Sequence, residues 1–393
     1  MREFAGRMTE LQSHYFAGLD RQIEALTAQG EEVIRLDVGS PDMPPAPHIV
    51  EALQRSAAEA GRHGYGSHRG TSALRQAWAG AYRRLHGVAL DPETEVLPLL
   101  GSKEGVFHLM QAVLGPGDVA LVPDPGYPTY GSASRFAGGE VVLMRLDPDS
   151  GFLPDLSALP GEALRRAKVI WLNYPNNPTG ATTDLDFLRE AVGFARRKNL
   201  LLCHDAAYSQ VAFGGYRAPS VLEVPGAAET AVEFNTLSKS HNMAGWRVGV
   251  AVGNREVLSR LLTLKSHADS GHFTPVLEAA TAALDGDQSW LAGRNAEYER
   301  RRDRIVEALR ALGLPVVEPR ASLYVWSPLP AGWASIDFAS ALLQQARVSV
   351  TPGVVFGPGG EGYIRISLAS PMERVSQAMD RLSRWWPEAR RAA

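Results

Sequence analysis

One segment of the chain, NTLSKSHNMAGWRVG (residues 235–249), places a lysine among hydroxyl and glycine residues. The chain has 40 basic residues but only five lysines, so Lys239 is unusual here. Ser238 and Ser240 flank it, and Arg247 follows eight residues later. A lysine amine at a strand end, facing a cleft, can form a Schiff base with a carbonyl group. The other interpretation, an exposed loop lysine, is equally compatible with this segment alone.

The other four lysines have ordinary structural explanations. Lys103 starts a helix, Lys168 precedes an apolar strand, Lys198 ends an amphipathic helix and Lys265 lies within a helix. We therefore expect only Lys239 to carry chemistry through its amine.

Polar and aromatic side chains also follow other predicted strands. The segment NYPNNPTG presents Asn177, HDAAYSQ presents Asp205 and Tyr208, and PDPGYPTY presents Tyr127 and Tyr130. An aspartate at the end of a buried strand is costly unless it meets a cation or hydrogen-bond donors. The segment GSKEGVFHLM starts a helix after Gly101 and Ser102, where free backbone N–H groups suit an anion.

This set of groups suits pyridoxal 5′-phosphate (PLP). The amine forms the Schiff base, and the aspartate keeps the pyridine nitrogen protonated so that the ring accepts electrons. A carboxylate close to that nitrogen contributes about 4 kcal/mol at an effective dielectric near 20. That energy raises the pKa of the ring nitrogen by about three units. PLP is therefore the predicted cofactor, and no metal site is predicted.

The elements that must position these residues alternate between short apolar runs and helical patterns, from residue 96 to about 270. The runs predicted to be strands are VLPLL, VALVP, VVLMRL, KVIWLNY, LLLCHDAAY, TAVEFNTLS and WRVGVAVG. Such alternation predicts an α/β fold with a mostly parallel sheet between helices. Ligands of such sheets collect at the carboxyl ends of the strands. Because side chains alternate along a strand, His204 should face away from the cleft that Asp205 faces.

Two flanking regions carry a different pattern and predict a second, smaller α+β domain. Residues 1–35 contain one helical pattern, and residues 285–393 contain a long polar helix, two strand-like runs and a further helix. We predict an N-terminal arm that joins the small domain (1–35), a large PLP-binding domain (36–284) and a C-terminal small domain (285–393).

Composition excludes several classes of protein. The 393 residues (42.5 kDa) are 45% hydrophobic and 21% charged, with a net charge of −3, as in ordinary globular proteins. The 40 basic residues are balanced by 43 acidic ones, which argues against nucleic-acid binding. No apolar run approaches the roughly 18 residues that a membrane span requires. A single cysteine, Cys203, and no leader pattern predict a cytoplasmic protein.

The motifs TLSKSHNMAGWRVG, NYPNNPTG, HDAAY and PGYPTY occur in this order and resemble the class I/II PLP-dependent aminotransferases of fold type I. The likeness runs over nearly the whole chain. It implies an enzyme that moves an amino group between an L-amino acid and a 2-oxo acid. Among aminotransferases, these motifs are most similar to those of the LL-diaminopimelate aminotransferase group, although aspartate, alanine and aromatic amino-acid aminotransferases share much of the same sequence.

The resemblance implies roles for individual residues around the cofactor. Lys239 is the Schiff-base lysine and general acid/base, and Asp205 meets the pyridine nitrogen. Asn177 and Tyr208 bind the ring hydroxyl oxygen, with Tyr208 also counted as catalytic, and Tyr127 stacks on the ring. The residues at phosphate-binding places are Ser102, Lys103, Thr236, Ser238 and Arg247, the first two through backbone N–H groups.

The resemblance also implies how substrate and a second subunit meet the site. Arg365 in GYIRISLAS matches the arginine that binds the substrate α-carboxylate, for which a bidentate guanidinium is well shaped. Asn177 and the backbone of Gly39 line the substrate pocket. Tyr65 is similar to the tyrosine that reaches the phosphate of the neighbouring subunit, which implies a homodimer with shared active sites.

Three alternative functions share features with this sequence. Carbon–sulfur β-lyases share nearly the same site, and pyruvate and ammonia released from cystathionine without a keto acid would identify one. A non-enzymatic PLP-binding regulator would carry a helix-turn-helix domain, whereas only about 35 residues precede LDVGSPD here. The segment GPGGEG (357–362) satisfies G-x-G-x-x-G but runs into a strand instead of opening a helix, which argues against nicotinamide binding.

The sequence also leaves the identity of the amino donor open, because donor specificity depends on loops and on the N-terminal arm, including Tyr15 and Phe16.

Overall fold

A computed structural model describes residues 15–392, so residues 1–14 of the predicted arm lie outside the described part of the chain. The helices are α1 (Tyr15–Ala28), α2 (Pro47–Ala57), α3 (Ser72–His86), α4 (Ser102–Val113), α5 (Thr129–Phe136), α6 (Gly161–Arg166), α7 (Leu185–Lys198), α8 (Leu237–Ser240), α9 (Arg255–Ala268), α10 (Thr274–Asp285), α11 (Trp290–Ala311), α12 (Ser335–Ala341) and α13 (Met372–Ala392). The strands are β1 (Ile34–Arg35), β2 (Val96–Leu99), β3 (Val119–Asp124), β4 (Glu140–Arg145), β5 (Ala167–Asn173), β6 (Leu201–Asp205), β7 (Ala231–Thr236), β8 (Gly249–Gly253), β9 (Tyr324–Pro328), β10 (Val348–Ser349), β11 (Thr351–Pro352) and β12 (Tyr363–Ser367).

A seven-stranded sheet forms the centre of the structure, in the order β2-β8-β7-β6-β5-β3-β4. Strand β8 runs antiparallel to both of its neighbours, and the other neighbouring pairs are parallel. Each predicted strand between residues 96 and 253 is present. The mostly parallel α/β sheet predicted from the sequence is therefore confirmed.

Helices cover both faces of this sheet, and the alternation of side chains along the strands shows why. Leu121 of β3 packs in one hydrophobic cluster with Leu188 of α7, whereas the next residue, Val122, packs in another cluster with Leu109 of α4. Successive side chains of a strand point to opposite faces. These strands carry apolar side chains on both faces of the sheet, so each face needs a layer of helices to bury them.

Helix α7 shows how local sequence sets the length of an element. The Asp184 side chain accepts a hydrogen bond from the Phe187 N–H at 2.9 Å and caps the first turn. Asn199 ends the helix in the left-handed conformation, with φ of 54°. Between these caps Leu188 and Val192 are buried against the sheet, as their spacing predicts.

A second group of elements surrounds the antiparallel sheet β11-β12-β9. One hydrophobic cluster joins this sheet to α11 and α13 and also contains Ile34 and Leu36. Ile34 pairs with Val348 in a short parallel sheet, so the segment before residue 37 packs with the C-terminal elements. The domain boundaries at residues 35 and 285 stay predictions.

Lys265 lies within helix α9, as predicted, but its side chain is buried. Its side chain is 1% exposed, and its Nζ lies 2.6 Å from Asp269 Oδ2 and 3.4 Å from Glu104 Oε1. His108 Nδ1 lies 3.1 Å from the same Glu104 oxygen. Glu104, His108 and Asp269 together have the side-chain types of a metal site, but the cation among them is the lysine ammonium.

Within residues 15–392, no helix is both long enough and apolar enough to cross a membrane.

Candidate functional site

The candidate site lies at the carboxyl edge of the large sheet, where neighbouring strands end. Asn173 ends β5, Asp205 ends β6 and Thr236 ends β7, three adjacent strands. The Asn173 side chain joins two of the predicted residues, since its Nδ2 donates to the Asp205 carbonyl oxygen at 2.8 Å and its Oδ1 accepts from the Asn177 N–H at 2.8 Å. The parallel order of the strands thus brings these side chains together.

Lys239 lies on α8, a single helical turn that follows β7 directly. Its Nζ donates a hydrogen bond to the Gly39 carbonyl oxygen. Burial, together with the positive charges of Arg365 and Arg247, lowers the pKa of Lys239 from its ordinary value to about 8, against an opposing effect of Asp205. A larger share of this amine is therefore uncharged near neutral pH than of an exposed lysine amine.

The Asp205 carboxylate is buried and held by two donors. The Tyr130 hydroxyl donates to Oδ2 at 2.7 Å, and the Ala207 N–H donates to Oδ1 at 3.1 Å. Burial raises the pKa of Asp205, while both hydrogen bonds oppose that change. The neighbouring His204 faces the other way, as predicted, because its Nδ1 lies 2.8 Å from Glu233 on β7.

Arg365 is 4% exposed and lies beside Asn177. Its guanidinium donates to Asn177 Oδ1 at 2.9 Å and to the Asp37 carbonyl oxygen at 2.9 Å. Within residues 15–392 no carboxylate forms an ion pair with it, and its Nε is buried without a hydrogen-bond partner. A buried guanidinium without a negative partner is costly, so this place favours an incoming carboxylate.

Two tyrosine pairs form the aromatic part of the site. The hydroxyl groups of Tyr208 and Tyr324 lie 2.8 Å apart, and burial together with this contact raises the pKa of Tyr208 well above its ordinary value. Tyr127 packs edge-on against Tyr130 at 5.6 Å between ring centroids. Tyr208 therefore stays protonated and can donate a hydrogen bond, and the half-buried Tyr127 ring remains available for stacking.

Arg247, one of the residues predicted to hold the phosphate, lies at the amino-terminal end of α4. Gly101 precedes this helix, and a Cβ there would lie 2.3 Å from Arg247 Nη2, so the guanidinium approaches the helix end closely. The Ser238 hydroxyl is buried and has no hydrogen-bond partner among the described residues. Free N–H groups at Ser102 and Lys103, an unpartnered hydroxyl and a guanidinium are the donors that a phosphate group needs. The residues present therefore fit PLP.

The structure gives one predicted site residue, Thr236, other surroundings. The Thr236 hydroxyl donates to the Val248 carbonyl oxygen at 2.9 Å and accepts from the Ser238 N–H, so it caps α8. Its only hydrogen is thereby used, and a phosphate contact would require that hydrogen bond to break. The Tyr65 side chain is 94% exposed and makes no contribution to the site of its own chain.

Tyr130, Tyr324 and Arg294 are site neighbours that the sequence analysis did not assign. Arg294 is 4% exposed and donates to the Lys239 carbonyl oxygen at 3.1 Å and to the Gln210 carbonyl oxygen at 2.8 Å, which ties α8 to the segment after β6. Burial lowers the pKa of Arg294 to about 10. Tyr130 had a signal, since it follows a strand three residues after Tyr127. Arg294 and Tyr324 had none, because their contacts span more than 50 residues of chain.

Comparisons with known proteins agree with this geometry. The family model described as aminotransferase class I and II matches residues 31–382. The LL-diaminopimelate aminotransferase of Dehalococcoides mccartyi is 47% identical over 383 residues, which are 98% of this chain and 99% of the relative. The substrate-bound BacF structure from Bacillus subtilis has a TM-score of 0.94 and 36% identity and covers 98% of both chains. A probable N-succinyldiaminopimelate aminotransferase from Thermus thermophilus has a TM-score of 0.89 and 38% identity over 94% of this chain and 99% of that chain.

Proposed function

The chain belongs to the class I and II aminotransferases, and on that premise we propose that its amino donor is LL-diaminopimelate. As a PLP enzyme of this family it moves an amino group between an L-amino acid and a 2-oxo acid. The single observation that supports this donor is the 47% identity, over nearly the whole chain, to a relative of that name.

Five residues would hold the cofactor ring and link it to the chain: Lys239, Asp205, Asn177, Tyr208 and Tyr127. When bound, PLP supplies an aldehyde that reacts with amines and a pyridine ring that accepts electrons. The carboxylate of Asp205, oriented by Tyr130, would pair with the ring nitrogen. Ser238, Arg247 and the amino-terminal end of α4 would hold the phosphate.

The arrangement of Lys239 and Arg365 supports transfer of a proton at the substrate α-carbon. Arg365 would bind the α-carboxylate in two hydrogen bonds, which fixes the orientation of the α-carbon. The pKa of about 8 leaves the Lys239 amine able to accept a proton near neutral pH and to return it. The carbonyl oxygen of Gly39 accepts a hydrogen bond from that amine and keeps it near the pocket wall.

The donor is tested with purified enzyme, 2-oxoglutarate as acceptor and a panel of amino donors. We expect LL-diaminopimelate to give the highest kcat/KM, with aspartate, alanine and aromatic amino acids far below it. N-succinyl-LL-diaminopimelate is the matched comparison, because it presents the same reacting end and differs only at the distal amine. A preference for the succinylated donor, in keeping with the name of the Thermus thermophilus structure, would replace the proposed donor.

A homodimer with shared sites also belongs to this proposal, and the exposed Tyr65 side chain supports it. An aromatic side chain that is 94% exposed in the single chain would bury its ring in a partner.

A β-lyase activity is the competing reaction. Incubation with cystathionine in the absence of any 2-oxo acid should release no pyruvate, whereas steady pyruvate formation would identify a lyase.

A further inference from the structure

The glycine-rich segment that resembles a dinucleotide fingerprint docks on the end of strand β3. We call residues 353–360 the glycine loop; it forms two short turns, Gly353–Phe356 and Pro358–Gly360. The Gly359 N–H donates to both carboxylate oxygens of Asp124, at 2.9 and 3.0 Å. The Gly126 N–H donates to the Phe356 carbonyl oxygen at 2.8 Å. The glycine loop is thus attached to the large sheet at two points.

The spacing of two glycines in this loop follows from their contact with Asp124. A Cβ at Gly357 would lie 2.2 Å from Asp124 Oδ1, and the φ of +119° is one that other residues rarely adopt. A Cβ at Gly359 would lie 2.9 Å from the Asp124 carbonyl oxygen. Glycine is needed where backbone must approach another group this closely. The contact with Asp124 therefore explains the G-x-G pattern without a nucleotide.

Asp124 itself is an unusual residue to bury. It is 7% exposed, and the only hydrogen bonds of its carboxylate within residues 15–392 come from Gly359. Burial raises the pKa of Asp124, with the Gly359 hydrogen bond and the charge of Arg145 opposing. A buried carboxylate is costly unless it is hydrogen-bonded, and among the described residues the glycine loop supplies the hydrogen bonds of this one, so holding the loop is its structural role.

The glycine loop carries an aromatic ring to Arg365. The guanidinium carbon of Arg365 lies 4.7 Å from the centroid of the Phe356 ring and 4.1 Å from that of Tyr324. Trp326 packs edge-on against Phe356 at 6.0 Å. Such cation–π contacts attract and orient a guanidinium without neutralising it. The position of the Phe356 ring therefore helps to fix the two N–H groups that would face a carboxylate.

We propose that Asp124 is a positioning residue for the substrate carboxylate: it holds the glycine loop so that Phe356 lies against Arg365. This inference rests on the proposed role of Arg365 as the carboxylate-binding residue. Asp124 contacts neither the lysine nor the phosphate-binding residues described above. Its loss should therefore weaken substrate binding and leave the cofactor in place.

The first test compares Asp124→Ala with Asp118→Ala in the holoenzyme. Asp118 precedes the same strand, at its opposite end, and also accepts a backbone hydrogen bond, from the Gly115 N–H at 3.0 Å. The probe is the α-methyl form of the preferred amino acid, which has the carboxylate and amine but no α-hydrogen to transfer. Asp124→Ala should raise its Kd, measured by absorbance titration, about tenfold, or about 1.4 kcal/mol. Asp118→Ala should leave that Kd unchanged.

The kinetic pattern separates positioning from general damage. For Asp124→Ala we expect KM for the amino donor to rise about as much as Kd, with kcat and cofactor absorbance close to wild type. Asp124→Asn retains one oxygen acceptor for the Gly359 N–H and should recover most of the loss. If Asp124→Ala does not fold, Gly357→Ala supplies the measurement, with Asp124→Asn as the conservative control.

Gly357→Ala disrupts the same contact by changing the glycine loop instead of Asp124. It should raise Kd about as much as Asp124→Ala, and the double variant should be no worse than either single one, because both remove one interaction. Unchanged Kd in both single variants, or additive effects in the double variant, would overturn the inference. Arg365→Ala separates the two proposals. If it fails to weaken the probe, the role of Arg365 is wrong; if only Arg365→Ala weakens it, the role of Asp124 alone is wrong.

Discussion

The amine of Lys239 donates a hydrogen bond to the backbone carbonyl oxygen of Gly39, which lies 200 residues earlier in the chain. This contact brings the segment LDVGSPD to the end of strand β7. It places the amine between that segment and the positive charges of Arg365 and Arg247, which lower its pKa. The site is thus assembled from both ends of the chain around one lysine.

The first prediction is that Lys239 alone carries the covalent cofactor. Borohydride treatment of the yellow holoenzyme, followed by peptide mapping, should place the cofactor mass on the peptide that contains Lys239. Lys239→Ala should still bind PLP through the residues around the phosphate but show no turnover. The other four lysines serve as internal controls, and a label on any of them would show that Lys239 is the wrong residue.

The second prediction concerns pH. Burial and the Arg365 charge disfavour the protonated amine, so apoenzyme should react with PLP at a rate that rises with pH through about 8. Removing the charge in Arg365→Gln should raise the pKa of Lys239 and move the midpoint of this rise to higher pH. Arg320→Gln is the control, since that arginine contacts the ring of Tyr216 and does not act on the lysine. An unmoved midpoint in Arg365→Gln would contradict the electrostatic explanation.

The third prediction is that two subunits share each active site. Tyr65→Asp would set a carboxylate against the partner's phosphate site, and Lys239→Ala removes the amine, so each homodimer should be nearly inactive. A mixed dimer collects both defects in one site and leaves the other intact. Random re-association makes about half the dimers mixed and restores about a quarter of wild-type sites. Absence of recovery, under conditions shown to exchange subunits, would return Tyr65 to a structural role.

The fourth prediction is that the buried Lys265 ammonium supports the fold next to the phosphate-binding helix end. Lys265→Met leaves the carboxylates of Glu104 and Asp269 without their cation and should cost about 3–5 kcal/mol in the free energy of unfolding. Chemical denaturation measures this cost. Lys198→Met, at an exposed helix end, is the control and should change stability by less than about 0.5 kcal/mol.

The effect of Lys265→Met should also depend on pH. Burial opposes the change, but hydrogen bonds from the Lys265 ammonium and the Gly271 N–H lower the pKa of Asp269 below its ordinary value of 3.8. A group whose pKa is lower in the folded state contributes stability above its unfolded value and loses it as pH falls through the folded value. The difference between wild type and Lys265→Met should therefore shrink in acid. A difference that grows in acid would contradict this ion pair.

The amino-acid sequence was sufficient to predict the strands of the large sheet and the residues that follow them. Apolar runs bounded by turn residues are local signals, and residues that directly follow parallel strands must meet at one edge. Asn177, Asp205 and Lys239 were predictable on this basis, and the structure brings them to that edge. The family and the cofactor were predictable because their motifs are short and continuous in the chain.

Contacts between distant parts of the chain could be read only from the tertiary structure. Tyr130 donates to Asp205, Asp124 accepts from Gly359, and Lys265 is buried beside Glu104, across 75, 235 and 161 residues respectively. No local sequence pattern predicts such pairs. The sequence around an aspartate after a strand, or around a lysine in a helix, does not depend on whether a distant residue packs against it. Packing of the sheets and their helices decides which polar groups are buried, and burial in turn sets the pKa values and the free donors of the site.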